Sequence, residues 1–305
     1  MLFQTAKSLC KMKKIKLISI ILCVAMAISL LTACGNQNAG GIKAYNNTSV
    51  ASQLKSASDS SSNRNVTVGT EEYRGFSVDN ILHSETLGDI HFNLYVPKSY
   101  DGSEAYAVFI TLPGYQGLYF QGVAENIKTE SFGFEAQRYN ENMIVVAPQL
   151  EDWGETSANK TIELTEYFLS NYNIDTEKVF INGYSGGGET LSLVLAKRPE
   201  LFTAALMCAS KWDGSFDAVV KNHTPVYFVI GEADEYYGSE PFKKAYKTLF
   251  DLYRSEGLPD NEISKILVLD IKNADYFKAG GVTYQHGGGG LFAAEKSIME
   301  WLFNK

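Results

Sequence analysis

Two kinds of hydrophobic pattern run along the chain from about residue 71 onward. Residues 73–80 and 89–96 alternate apolar and polar positions, "DIHFNLYVP" most clearly, so this part should open with an antiparallel hairpin that is covered on one face. Six later stretches are near-continuous apolar runs: "AYAVFITLPGYQG", "MIVVAPQ", "KVFING", "FTAALMCAS", "PVYFVIGEAD" and "KILVLDI". Strands covered on both faces read this way. Helical spacing recurs between and after them, over residues 161–171, 187–197, 241–256 and 291–303. Strand and helix therefore alternate, which predicts an α/β domain with a doubly wound, mostly parallel sheet of about eight strands. Only a short loop separates the run ending near Ser210 from the one starting at Pro225, so no large cap domain is expected, and there is no internal repeat.

The first 70 residues follow different rules. Lys11, Lys13, Lys14 and Lys16 precede an apolar segment over 17–31, which ends in "LTAC" at Cys34. That order is a secretory leader, and the apolar core is short beside the roughly 20 residues of a membrane span. The Leu-Thr-Ala-Cys ending resembles a bacterial lipobox, which implies that Cys34 becomes the acylated first residue of the mature protein. Met12 could serve as the start instead of Met1, because everything a leader needs follows it; an ordinary signal peptide or an uncleaved anchor is the competing reading. Residues 35–70 are rich in Ser, Asn, Ala and Gly and read as a flexible tether, holding the rest on the order of 30 Å from the membrane. The expected organisation is thus a lipoprotein signal peptide over 1–33, the acylated cysteine and linker over 34–70, and one domain over 71–305.

Charge and cysteine content narrow the chemistry. A net charge of −8 argues against nucleic acid and against a basic grip on anionic lipid, so lipid on Cys34 would provide the membrane attachment. Of the four cysteines only Cys208 falls in the domain, where it cannot form an internal disulfide. The four histidines are scattered and no second thiol accompanies Cys208, so no metal site and no cofactor is expected.

The stretch "KVFINGYSGGGETLSLVLAKRPELF" carries the reactive chemistry. Gly183-Tyr184-Ser185-Gly186-Gly187 is a G-x-S-x-G motif, weak in isolation, but it follows a strand pattern and opens a helix pattern, the context a nucleophile elbow needs. Serine on such a turn points its hydroxyl away from the sheet, and the free amide of Gly186 at the helix start can donate to a developing oxyanion. A second donor should come from the loop after "VFITLPGYQG", at the amide of Tyr115. Serine needs a base, and His286, in the glycine-rich "YQHGGGG" after the last strand, is the best placed; structural roles are expected for His83, His91 and His223. A carboxylate must orient the imidazole. "VIGEADEYYG" offers Asp234, preferred for standing three residues after Gly231, with Glu232 and Glu235 as alternatives. Aromatic residues gather at predicted strand ends: Tyr115, Trp153, Tyr184, Trp212, Tyr236 and Tyr237. Loops at the carboxyl edge of such a sheet build its ligand site, so Trp153, Tyr184, Trp212 and Tyr236 are expected to line a substrate, and Glu189 and Asp213 could contact it.

The segments "LPGYQG", "INGYSGGGETLSLVLAKRPELFTAALMCASKWDG", "VIGEADEYYG" and "YQHGGGG", with the order Ser185, Asp234, His286, resemble an α/β-hydrolase of the secreted esterase and prolyl-oligopeptidase-like branch. The likeness spans nearly all of 73–305 and is similar in layout to polyhydroxybutyrate depolymerase and feruloyl esterase relatives. It implies a Ser-His-Asp hydrolase that cleaves carboxylic esters, small or linked to polysaccharide, through an acyl-enzyme outside the cytoplasm. The chain departs from the pattern in having Pro113-Gly114 where many relatives have His-Gly, and in lacking a preceding β-propeller. A peptidase, or a lipoprotein that binds ligand without turnover, are the competing expectations.

Overall fold

The structure, a computed structural model, describes residues 65–305; the predicted leader, Cys34 and most of the predicted tether lie outside the described residues. The strands are β1 (Val66–Thr67), β2 (Glu71–Tyr73), β3 (Phe76–Ser84), β4 (Gly88–Tyr95), β5 (Tyr106–Leu112), β6 (Met143–Pro148), β7 (Ile174–Tyr184), β8 (Ala204–Cys208), β9 (Val226–Gly231) and β10 (Leu267–Lys272). They form one sheet in the order β1-β3-β4-β6-β5-β7-β8-β9-β10, with β2 also on β3. From β6 to β10 every neighbouring pair is parallel, and the β3/β4 hairpin joins that parallel body antiparallel through β6.

The apolar runs behave as their composition dictates. Every residue of β5, β6, β8 and β9 is buried, since helices cover both faces of the parallel body. Phe109 of β5 and Phe180 of β7 both meet Phe303 of the C-terminal helix edge-on, at 5.3 and 5.1 Å between ring centres, which ties that helix to the middle of the sheet.

Several boundaries differ from the pattern for identifiable reasons. Val66 and Thr67, which composition assigns to the tether, pair with Leu82 and Ile81, so the sheet uses two residues of that segment. The helix expected over 161–171 runs Glu155–Asn171 and starts six residues before the apolar spacing does, because its opening residues, "ETSANK", are largely polar. Two helices, Gly289–Ala294 and Lys296–Phe303, replace the single one expected over 291–303. They part at Glu295, whose carboxylate turns to Lys272 at 2.8 Å. Strand β10 is not covered on both faces: it is the sheet edge, and Lys272, paired with Asp270 and Glu295 at 2.8 Å each, places charge there. Charge on an edge strand discourages pairing with another chain.

Candidate active site

Register between β5 and β7 places Leu112 beside Gly183. The two strands therefore deliver Pro113, Gly114 and Tyr115 next to the turn that carries Ser185. That turn is tight: Ser185 has φ 53° and ψ −123°, a conformation that L residues rarely adopt, and the helix Gly186–Lys197 begins at once. Its amide donates to Cys208 O at 2.9 Å and its carbonyl accepts from Ser210 Oγ at 2.6 Å, so β8 braces the strained residue from one side. On the other side the helix start rides over the end of β5. A Cβ at Gly187 would stand 2.5 Å from Pro113 O and 2.6 Å from Leu112 O, too close for any residue but glycine.

Ser185 Oγ lies 3.0 Å from His286 Nε2, and His286 Nδ1 lies 2.9 Å from Asp234 Oδ2. The serine follows β7, Asp234 follows β9, and His286 sits on the one-turn segment Gln285–Gly287 beyond β10. Asp234 also accepts from the amides of Tyr236 and Tyr237 at 3.0 and 2.8 Å. Burial works to raise its pKa, but the hydrogen bond and charge of His286 and those two amides outweigh burial and hold the carboxyl below its ordinary range. An ionised carboxylate can only accept, so Nδ1 carries the ring proton toward it and Nε2 is left as acceptor for the serine hydroxyl.

The other two acidic candidates have separate tasks. Glu232 accepts the amide of Ala274 at 2.9 Å. Glu235 accepts the amides of Gln285 and His286 at 3.1 and 3.0 Å, clamping the backbone of the histidine turn. Tyr184 completes the support: its hydroxyl donates to His286 O and its ring lies nearly parallel to the imidazole, centres 5.9 Å apart. Burial, with the nearby Glu130 charge, keeps that hydroxyl protonated.

Of the two expected oxyanion donors, Gly186 is the first residue of its helix, where amides have no acceptor within the helix. Tyr115 opens the one-turn segment Tyr115–Gly117 after Pro113-Gly114. Trp153 lies flat against the Gly186 backbone, where an added Cβ would come within 2.3 Å of its ring. Tyr184 is half-buried, packed against the core and beside Phe132. Trp212 stacks on Phe216 at 5.1 Å and donates its indole N–H to Gly214 O at 2.8 Å, which makes it part of the packing under its loop. Tyr236 is exposed, with its ring 5.3 Å from that of His286. Glu189 accepts from the Tyr237 hydroxyl and pairs with Lys211 at 3.1 Å, and Lys211 also pairs with Asp213, so neither acid faces the site as a free charge.

Residues that the sequence reading passed over also stand exposed on the loops at this edge of the sheet. Among the described residues the large exposed apolar side chains are Tyr115, Phe120, Val123, Tyr236 and Tyr284, all on loops at the carboxyl edge of the parallel strands. Phe120 and Tyr284 gave no signal beyond being aromatic in a loop. His83 pairs with Asp89 at 2.7 Å; His91 pairs with Asp79 at 2.7 Å and stacks on Tyr119.

The sheet order, the strained serine turn between strand and helix, and the helices on both faces define an α/β-hydrolase fold. The model of the prolyl oligopeptidase family matches residues 149–247, a stretch that contains Ser185 and Asp234. Acetylxylan esterase A of Talaromyces purpureogenus is 30% identical over 162 residues, covering 50% of this chain and 41% of that protein. A probable acetylxylan esterase A of Neosartorya fischeri is 29% identical over 130 residues, covering 40% of this chain and 35% of that protein. The chain therefore spans about two fifths or less of the length of these curated relatives. A solved thermostable esterase shares the fold with a TM-score of 0.62 at 21% identity, over 75% of this chain and 63% of its own.

Proposed function

We propose that the protein is an extracytoplasmic serine hydrolase that cleaves carboxylic esters, with acetylated polysaccharide as its substrate class. The observation that carries the reading is the hydrogen-bonded line Ser185, His286, Asp234 built at one edge of the sheet on a strained serine turn. In the proposed reaction His286 Nε2 takes the proton of Ser185 as the oxygen attacks the ester carbonyl, and Asp234 stabilises the imidazolium. The amides of Gly186 and Tyr115 receive the negative charge of the tetrahedral intermediate. His286 then returns the proton to the departing alcohol, and water repeats the sequence on the acyl-enzyme. The likeness to the acetylxylan esterases, together with the exposed aromatic rings on loops at the same edge of the sheet, supports the polysaccharide part of the reading, since such rings stack on the apolar faces of sugars. The basic and apolar leader with "LTAC" supports a lipid tether at Cys34.

A fluorophosphonate probe with mapping of the modified residue, beside p-nitrophenyl acetate turnover, tests the reaction. Labelling at Ser185 and loss of turnover by about 10³-fold or more in Ser185→Ala are expected. A folded wild-type protein that neither labels nor turns over would leave a ligand-binding protein as the better account. The match to the prolyl oligopeptidase family gives one second reading, a peptidase, which the same preparation would reveal by cleaving amide substrates faster than esters.

A further inference from the structure

We infer that Glu130 is a positioning residue for the second oxyanion donor: its carboxylate, bonded to the amide of Gly114 under the loop, sets the direction in which the Tyr115 N–H points. The inference rests on the reading of Tyr115 as a donor given above.

The support starts two strands away. Asn126, buried in the short helix Glu125–Thr129, donates to the carbonyls of Ala147 and Pro148 at 2.8 Å each and accepts from Asn93 at 2.6 Å, which pins this helix to β6 and β4. The amide of Glu130 donates back to Asn126 O at 3.2 Å, so the residue leaves the helix in a fixed place. From there Glu130 Oε1 accepts the Gly114 N–H. The carbonyl of Gly114 is held as well, accepting from Gly117 N at 3.0 Å. A trans peptide is planar with its N–H and C=O opposed, so fixing the Gly114 carbonyl fixes the Tyr115 N–H in the same plane. Glycine has the widest backbone freedom of any residue, and the bond to Glu130 removes what is left of it. The fit is close: a Cβ at Gly114 would stand 3.0 Å from Tyr184 Cδ1 and 3.3 Å from Glu130 Oε1. Since the Tyr184 hydroxyl also donates to His286 O, one side chain lies against both the Gly114 loop and the histidine loop.

Burial pushes the Glu130 carboxyl up to about 8, opposed by the Gly114 amide. The ionisable groups that feel its charge are the Tyr184 hydroxyl and the Cys208 thiol, both pushed up chiefly by burial. The small cavity at its side is lined by Thr111, Pro113, Asn126, Phe134 and Ala147, which supply no countercharge. Hydrogen bonds to an ionised acceptor are the stronger ones, so the donor loop tightens as pH rises through about 8.

The test compares Glu130→Gln and Glu130→Ala in the full chain. In wild type, kcat for p-nitrophenyl acetate should show a rising step near pH 8. Glu130→Gln keeps an acceptor oxygen, and should hold kcat at pH 7 within about threefold while losing that step. Glu130→Ala should lose roughly 10–100-fold in kcat with KM changed about twofold or less, the mark of a misplaced transition-state contact. Hydrogen exchange over residues 113–118 gives a readout that needs no turnover: faster in Glu130→Ala, as wild type in Glu130→Gln. Wild-type kcat and unchanged exchange in Glu130→Ala would overturn the inference. So would a parallel loss of thermal stability and activity in both variants, which is what a merely structural carboxyl would give. Failure of the wild type to label at Ser185 is a separate result, overturning the ester reading and with it any oxyanion role for the loop.

Discussion

At Asp234 both carboxylate oxygens are occupied, Oδ2 by the ring of His286 and Oδ1 by two backbone amides. Asp234→Asn keeps the shape but offers Nδ1 a donor in place of an acceptor, which favours the tautomer that cannot accept from Ser185. A loss in kcat of about 10⁴-fold with unchanged circular dichroism is expected. The same carboxyl links pH to stability. Its folded pKa is depressed, so its contribution is present above the ordinary carboxylate range and lost as pH falls through the depressed value. Thermal melts at falling pH should therefore show a shallower acid loss in Asp234→Asn than in wild type. Serine and histidine were legible in the sequence because each stands in a local context, an elbow and a glycine-rich loop, that only a few chemistries require, whereas Asp234 was preferred over Glu232 and Glu235 only for its spacing from Gly231. Glu130, and the hold of Glu235 on the histidine turn, were not legible, because each acts on a backbone amide of a distant loop. Such a partner leaves no residue type to recognise.

Elements were legible in proportion to how apolar they are. Strands β5, β6, β8 and β9 stand out since every position is buried, whereas β7 begins at Ile174 with polar, exposed residues that hide its first half. Helices of one or two turns, such as Phe132–Ala136 and Asp217–Asn222, are too short for a period of 3.6 to declare itself. The junction of β7 and its helix yields a sharper statement. In Gly187→Ala the new methyl meets two backbone carbonyls of the β5 end, neither of which can rotate away. An overpacking cost of about 2–3 kcal/mol follows. At this size that is a fall in Tm of roughly 5–10 °C, measurable by differential scanning calorimetry. A wild-type Tm would show that the strand and helix can part more easily than their packing suggests.

At the scale of the whole fold, the exposed rings among the described residues are concentrated on one edge. Tyr115 and Phe120 stand on the loop after β5, with Tyr236 and Tyr284 on the loops after β9 and β10. No pattern in the sequence distinguished them from rings that bury, such as Trp212, because exposure depends on how loops from distant segments settle together. If the rim holds polymer, Phe120→Ala should lower the ratio of turnover on acetylated xylan to turnover on p-nitrophenyl acetate by about tenfold. An unchanged ratio would assign those rings to small or unrelated ligands.

Among the described residues, the short connection between β8 and β9 holds the single helix Asp217–Asn222 and no inserted domain. A hydrolase of the proposed kind, with no inserted domain at that connection, would have no door of that sort to operate. Acid and alcohol can depart by diffusion alone, so turnover would be timed by bond making and breaking rather than by a conformational cycle. Solvent viscosity should then leave kcat almost untouched, while the electronic character of the leaving alcohol or the acyl group governs it.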